Sequence, residues 1–243
     1  MNISIKMTDS LGEIVVRYPS LRAQLDQLGL DYCCGGSRSL ADAVRSAGLD
    51  LDEVLGVLLA AREDAGAATP PDRRDWARES CTALVQHIET THHAYMKSAL
   101  PRVAELLGKV RLAHGARHGT VLEALAGVYA EFSEEIRQHL LKEERVLFPF
   151  IREMERFSLG QAVAVNAPCG SVRHPIRQME HEHVSAGTAL AEMRRLTGGY
   201  EPPPDACPTF MALYEALRQI EDDLHQHIHL ENNILFPKAL RLE

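Results

Sequence analysis

The stretch His139-Leu140-Leu141-Lys142-Glu143-Glu144-Arg145-Val146-Leu147-Phe148-Pro149 recurs as His227-Ile228-His229-Leu230-Glu231-Asn232-Asn233-Ile234-Leu235-Phe236-Pro237. Both copies read H-x-x-x-E-x-x-x-L-F-P. At about 100° per residue, a His and a Glu four positions apart lie about 40° apart on one helix face. An imidazole and a carboxylate placed that way can converge on one metal ion or on two neighbouring ones. The trailing Leu-Phe packs the next turn, and the proline ends or kinks the helix. One such pair alone is an ordinary surface contact of the i,i+4 type. Two copies, both on apolar stripes, need another reason.

Those stripes are the seams of four helices, counted in alternating steps of three and four. The first runs His93, Met96, Leu100, Val103, Leu107, Val110. The second runs Val121, Leu125, Val128, Phe132, Ile136, His139, Glu143, Val146, Phe150. The third is Val172, Ile176, Met179, His183, Ala186, Leu190, Met193, and the fourth is Phe210, Leu213, Leu217, Ile220, Leu224, His227, Glu231, Ile234. Breaks are expected at His114-Gly115, at Ala167-Pro168-Cys169-Gly170, and from Gly198 to Pro208. No strand-like alternation competes. The reading is all-α, an antiparallel four-helix bundle.

Every seam carries a histidine and two carry a glutamate. Burying such groups in a bundle core costs several kcal/mol unless something pairs with them. A metal centre is the common partner that His93, His139, Glu143, His183, His227 and Glu231 call for. His93 precedes His139 by 46 residues and His183 precedes His227 by 44, so each half reads as helix-His, loop, helix-His-x-x-x-Glu. Imidazole and carboxylate without thiolate suit Fe, Mn or Zn. Six ligands exceed one tetrahedral zinc and divide naturally between two metals with shared glutamates. A ferritin-like alternative exists, because Glu89-Thr90-Thr91-His92 and Glu180-His181-Glu182-His183 both fit Glu-x-x-His. It would leave His139 and His227 on the seam without a role. His92 competes with His93, which fits the three-four count better. Glu89 is a candidate supporting carboxylate, one turn before His93. The remaining histidines, His225 and His229 among them, are read as solvated.

Ahead of the bundle, residues 1–65 form a small helical domain, followed by a linker over 66–75 and the bundle over 76–243. The linker is read from Ala65-Gly66-Ala67-Ala68-Thr69-Pro70-Pro71, which cannot continue a helix. The small domain shows Leu11, Val15 and Val16, then Leu21, Leu25 and Leu28 ahead of a stop at Gly29, then Leu40 and Val44, then Val54, Leu55, Leu58 and Leu59. It also holds Asp31-Tyr32-Cys33-Cys34-Gly35-Gly36. Adjacent cysteines on a glycine turn are poor core residues. They form either a strained, easily reduced vicinal disulfide or a thiolate pair for a soft metal. Cys81, Cys169 and Cys207 are isolated and read as structural.

The 243 residues include 26 Lys+Arg against 34 Asp+Glu, a formal charge of −8. Without a basic block, that balance argues against nucleic acid or an anionic membrane as a partner. The longest apolar runs, such as Val57-Leu58-Leu59-Ala60-Ala61, are too short to span a bilayer, and Met1-Asn2-Ile3-Ser4-Ile5-Lys6 lacks the plan of a signal peptide. A cytoplasmic location is expected. Five cysteines, an odd number, exclude a complete disulfide framework.

The chain resembles the repair-of-iron-centres (RIC) family over nearly its whole length. The resemblance rests on Leu11-Gly12-Glu13, Pro19, Asp31 through Gly36, the two H-x-x-x-E-x-x-x-L-F-P segments, Asp222-Asp223-Leu224 and Pro202-Pro203-Pro204. It implies a hemerythrin-like bundle behind a ScdA-type N-terminal domain. It further implies two non-haem iron ions, oxo- or hydroxo-bridged, with ligands on His93, His139, Glu143, His183, His227 and Glu231. The implied role is repair of iron-sulfur clusters damaged by nitric oxide or oxidants. Damaged iron-sulfur proteins would be the clients, nitric oxide or dioxygen the small ligand, and Cys33 and Cys34 the thiol chemistry. Rival readings are a dioxygen or nitric oxide carrier or sensor, a nitric oxide reductase, and a purely structural bundle.

Overall fold

The computed structural model describes residues 5–67, 74–162 and 170–243. Cys169 and residues 68–73 of the expected linker lie outside them. Among the described residues there is no β-strand, and the secondary structure is helical throughout. Two compact units emerge, one from residues 1–80 with 228–238 and one from residues 81–227 with 239–243.

In the first unit, α1 (Leu11–Arg17) starts with a capping box. The Ser10 hydroxyl accepts from the Glu13 amide while the Glu13 carboxylate accepts from the Ser10 amide. A 3-10 turn at Pro19–Leu21 leads into α2 (Arg22–Gln27), and Gly29 stops the chain at φ +66°. Ser39 caps α3 (Leu40–Ala47), which ends at left-handed Gly48, and α4 spans Leu51–Ala67. Leu11, Ile14, Val15, Leu21, Leu25, Leu40, Val44, Val54 and Leu58 are buried together as this unit's core. Helix α4 runs on to Ala67, past the Gly66 at which the linker reading starts.

The second unit is the antiparallel helical bundle that the four seams predict. Its elements are α5 (Cys81–His87), α6 (Ala94–Lys142), α7 (Phe148–Ser158), α8 (Arg173–Leu196) and α9 (Pro208–Leu230). A final helix, α10 (Phe236–Leu242), closes the chain. The expected break at His114-Gly115 is absent as a loop, because helical hydrogen bonding is assigned continuously over the 49 residues of α6. A straight helix of that length would measure about 73 Å. Instead the chain reverses: the Tyr129 hydroxyl donates to the Leu100 carbonyl at 2.7 Å, and Arg111 pairs with Glu123. The turn of this hairpin lies between Arg111 and Glu123 and is itself helical.

Three π-helical turns interrupt the α-helices, at Ile88–His93 and Glu143–Leu147 in the second unit and at Glu231–Leu235 in the first. Such turns insert one residue and rotate everything beyond it, and they concentrate at functional sites. Here the consequence is visible in burial. Val146, expected on the seam, is 41% exposed, whereas Leu147 is buried. Pro149 and Pro237 do not end their helices; each sits at the second position of the helix that follows, α7 or α10, where its missing N–H suits a turn already re-spaced. The upper part of the second seam also shifts, to Leu122 and Tyr129 instead of Val121 and Val128. The first, third and fourth seams are buried as read.

Candidate metal centre

His93 closes the first π turn and Glu143 opens the second, so both candidate ligands sit where the backbone is re-spaced. The His93 imidazole is fully buried, with Nε2 at 3.3 Å from Glu143 Oε2. His139, one turn before Glu143 on the same helix, brings its Nε2 to 3.4 Å from the other oxygen, Oε1. His227 Nε2 lies 3.8 Å from Glu143 Oε2, and His183 Nε2 lies 3.2 Å from His139 Nε2. Glu143 therefore stands between two imidazole pairs, His93 with His227 and His139 with His183. In each set, the Glu143 oxygen and the two imidazole nitrogens lie within 4.8 Å of one another. Glu231 follows His227 by one turn on an unbroken helical run and is fully buried.

The outward faces of two of these rings are braced. His93 Nδ1 lies 2.8 Å from Glu144 Oε1, and Lys97 Nζ donates to the same oxygen. His139 Nδ1 lies 3.0 Å from Glu182 Oε2, whose other oxygen accepts from Lys142 and Gln178. Partial burial opposes ionisation of Glu182, but the His139, Lys142 and Gln178 hydrogen bonds outweigh it and bring the carboxyl down to about 2. Glu144 behaves alike: burial opposes, and the Lys97 and His93 hydrogen bonds prevail, holding it below the usual carboxylate range. Each ionised carboxylate can only accept, so each Nδ1 donates and Nε2 is the nitrogen left to face inward. Inward lone pairs facing a buried carboxylate repel one another unless a cation lies among them. The donor set fits a metal of imidazole and carboxylate preference.

Several sequence expectations are corrected by this geometry. Glu89 does not support His93; its carboxylate is held by Arg152 at 2.6 Å and 3.3 Å. Glu144 takes that place, and the only sequence signal for it is its position beside Glu143. Glu182, next to His183 in sequence, braces His139. Of the adjacent pair, His93 directs Nε2 at Glu143, while His92 binds Asp223 through Nδ1 at 2.9 Å and stacks on His227. Glu180, needed by the ferritin-like alternative, is exposed. His229, expected to be solvated, is buried, and burial with the nearby Arg22 charge brings its imidazole down to about 3.

The cysteine turn lies in the first unit and is organised by Asp31. Its Oδ1 accepts from the Cys33 and Cys34 amides and from the Cys33 thiol, and its Oδ2 accepts from the Gly35 amide. Neither thiol is in a disulfide; the two lie 3.8 Å apart, with Cys33 buried and Cys34 half-buried. The hydrogen bond with Cys34 and burial push the Cys33 thiol well up, so it stays protonated. In the same unit, Asn232 donates to the Cys33 carbonyl at 3.0 Å and Asn233 to the Tyr32 carbonyl at 2.9 Å. Asn233 also donates to His229 Nδ1, against whose ring Tyr32 packs edge-on. The two residues that follow Glu231 in the chain thus hold the cysteine turn.

Fold and site together define a cation-binding helical bundle. Residues 84–239 match the hemerythrin HHE cation binding domain, and residues 7–62 match a domain of unknown function, DUF542 or ScdA_N. The chain is 37% identical over 238 residues to the iron-sulfur cluster repair protein YtfE of Pectobacterium atrosepticum, covering 96% of this chain and 97% of that one. It is 35% identical to the Dickeya chrysanthemi YtfE over 96% of this chain and 97% of that one. Identity to the YtfE of Escherichia coli O81 is 34%, over 95% of this chain and 96% of that one. The chain belongs to the YtfE family. Among the described residues, no helix is long and apolar enough to cross a membrane.

Proposed function

We propose that this chain is a di-iron protein that repairs damaged iron-sulfur clusters, with iron-sulfur proteins as its clients and ferrous iron as its cargo. The observation that carries the reading is Glu143, shared by the His93/His227 and His139/His183 pairs. In this reading His93, His139, Glu143, His183, His227 and Glu231 would hold two iron ions. Iron held there would supply reversible redox chemistry and affinity for nitric oxide or dioxygen. Glu144 and Glu182 keep the His93 and His139 imidazoles oriented and raise their basicity as ligands. Residues 1–65 contribute Cys33 and Cys34, which accept iron or electrons on the way to a client, and residues 76–243 hold the metal. The hydrogen bonds from Asn232 and Asn233 support that link, because they tie the cysteine turn to the π turn that begins with Glu231.

Ferrous-loaded protein is expected to restore activity to a cluster-depleted iron-sulfur enzyme, and Glu143→Leu to abolish the restoration. Equal repair by the iron-free protein would overturn iron donation.

A second reading, nitric oxide or dioxygen binding without repair, draws on a cavity of about 270 Å³ bordering His139, Glu182 and His183. It predicts a stable adduct, no client repair, and indifference to Cys33→Ala.

A further inference from the structure

The cysteine turn of the first unit is suspended from two sides. On its amide side, the Asp31 carboxylate takes the N–H groups of Cys33, Cys34 and Gly35, a hold made within four residues of chain. On its carbonyl side, Asn232 donates to the Cys33 carbonyl at 3.0 Å and Asn233 to the Tyr32 carbonyl at 2.9 Å, across 199 and 201 residues. Both asparagines belong to the π turn Glu231–Leu235, and all of these residues lie in the same unit.

Asn233 has no room to move. A Cβ on Gly36 would sit only 2.7 Å from its Oδ1, and a Cβ on Gly12 would clash with the same atom. Gly12, in α1, donates its amide to the Gly36 carbonyl at 2.8 Å and closes this slot. The Asn233 Nδ2 uses both hydrogens, one on the Tyr32 carbonyl and one on His229 Nδ1 at 3.0 Å. Movement of the π turn must therefore carry the cysteine turn with it or break these bonds.

Glu231 opens that π turn, immediately ahead of the two asparagines, and is fully buried. A carboxylate at that depth is costly to bury, and a cation beside it offsets the cost. A bound cation thus favours the π turn as it stands, by its differential affinity for that arrangement.

We propose that Asn232 and Asn233 are positioning residues that make exposure of the Cys33–Cys34 pair depend on metal at Glu231. The proposal rests on the reading of Glu231 as an iron ligand. With iron bound, the π turn keeps Asn233 in its slot and Cys33 stays buried. With iron gone, the turn relaxes, its hydrogen bonds to the cysteine turn loosen, and both thiols come within reach of a client. A chain that has delivered its iron thereby differs at its thiols from one that has not. Linkage makes the effect reciprocal, so holding the cysteine turn open lowers iron affinity by the same factor.

The test is alkylation of the full chain by N-ethylmaleimide, iron-loaded and iron-free, with each cysteine followed by peptide mass spectrometry. Cys33 is expected to react at least about 5-fold faster in the iron-free chain, the lower end of ordinary coupling between sites. Asn232→Ala and Asn233→Ala, each at saturating iron, should bring that ratio toward 1 by speeding the loaded form. The ratio separates positioning from plain packing, because a merely structural role raises both rates together. Asn233→Asp fills the slot without the two donors and should behave as Asn233→Ala does. Cys81, buried in the other unit, is the internal control for global loosening. Circular dichroism identifies a misfolded variant, and the parent's own ratio needs no variant. Equal Cys33 rates with iron bound and removed would overturn the coupling and leave the repair reading standing. So would Cys81 accelerating as much as Cys33, or an Asn233→Asp ratio equal to the parent's. A chain that takes up no iron would overturn both.

Discussion

His93 Nδ1 lies 2.8 Å from Oε1 of Glu144. The same ring meets Glu143, the residue just before, through its other nitrogen at 3.3 Å. Consecutive glutamates thus grip opposite edges of one imidazole. An α-helix points neighbouring side chains about 100° apart, and the π turn that opens at Glu143 widens that stretch of backbone.

Removing the outer grip should loosen the metal without removing a ligand. Glu144→Gln is expected to weaken iron retention about 10- to 100-fold in chelator competition, with helicity unchanged. Glu182→Gln should do the same through His139. Retention equal to the parent in both would show that the carboxylates do not orient the rings.

The π turn makes a packing prediction at adjacent residues. Val146→Ala should change stability by less than about 0.5 kcal/mol, while Leu147→Ala should cost about 2–5 kcal/mol. Denaturant unfolding of the two variants checks it. The reverse order would restore the uninterrupted three-four seam.

The cysteine turn is packed too closely to accept a methyl group. A Cβ on Gly36 would sit 2.4 Å from the Tyr32 carbonyl oxygen and 2.7 Å from Asn233 Oδ1. Gly36→Ala is expected to cost about 1–3 kcal/mol and to speed alkylation of buried Cys33. Unchanged thiol reactivity with unchanged melting would contradict this packing.

Acidification should act through His229. Its folded-state value, about 3, lies below the ordinary 6.5 because burial and then the Arg22 charge disfavour the imidazolium. Between those values the unfolded chain binds a proton that the folded chain does not. Its contribution to stability is complete above pH 6.5 and is lost as pH falls toward 3, by up to about 1.4 kcal/mol per unit. His229→Gln should flatten the decline of unfolding free energy between pH 6 and pH 4. Parallel curves for parent and variant would exclude His229 as a source.

Much of the architecture is local in origin and therefore readable. Apolar residues at three-four spacing must face a common core, so the seams through Leu100, Ile136, Met179 and Leu217 announce a bundle. The capping box at Ser10 and the stops at Gly29 and Gly48 follow from backbone groups that need partners. Histidines and glutamates repeated on those seams point to a buried cation, because a cation would offset the cost of burying them.

What escaped the sequence depends on contacts distant along the chain. The π turns re-space the helix by one residue, so periodicity carried Val146 inward when Leu147 is the buried side chain. The α6 reversal keeps its helical bonds, so no loop marks it. Glu89 reads as the supporting carboxylate until Arg152 claims it, and Glu144 stands beside His93 instead. The sequence by itself determined the helices, their buried faces and the chemistry those faces carry, since these depend on neighbours within a turn or two. Only the tertiary structure decided which nitrogen of each imidazole faces inward and which carboxylate braces it. Those choices are made between groups tens of residues apart, where a few tenths of an ångström separate a hydrogen bond from none.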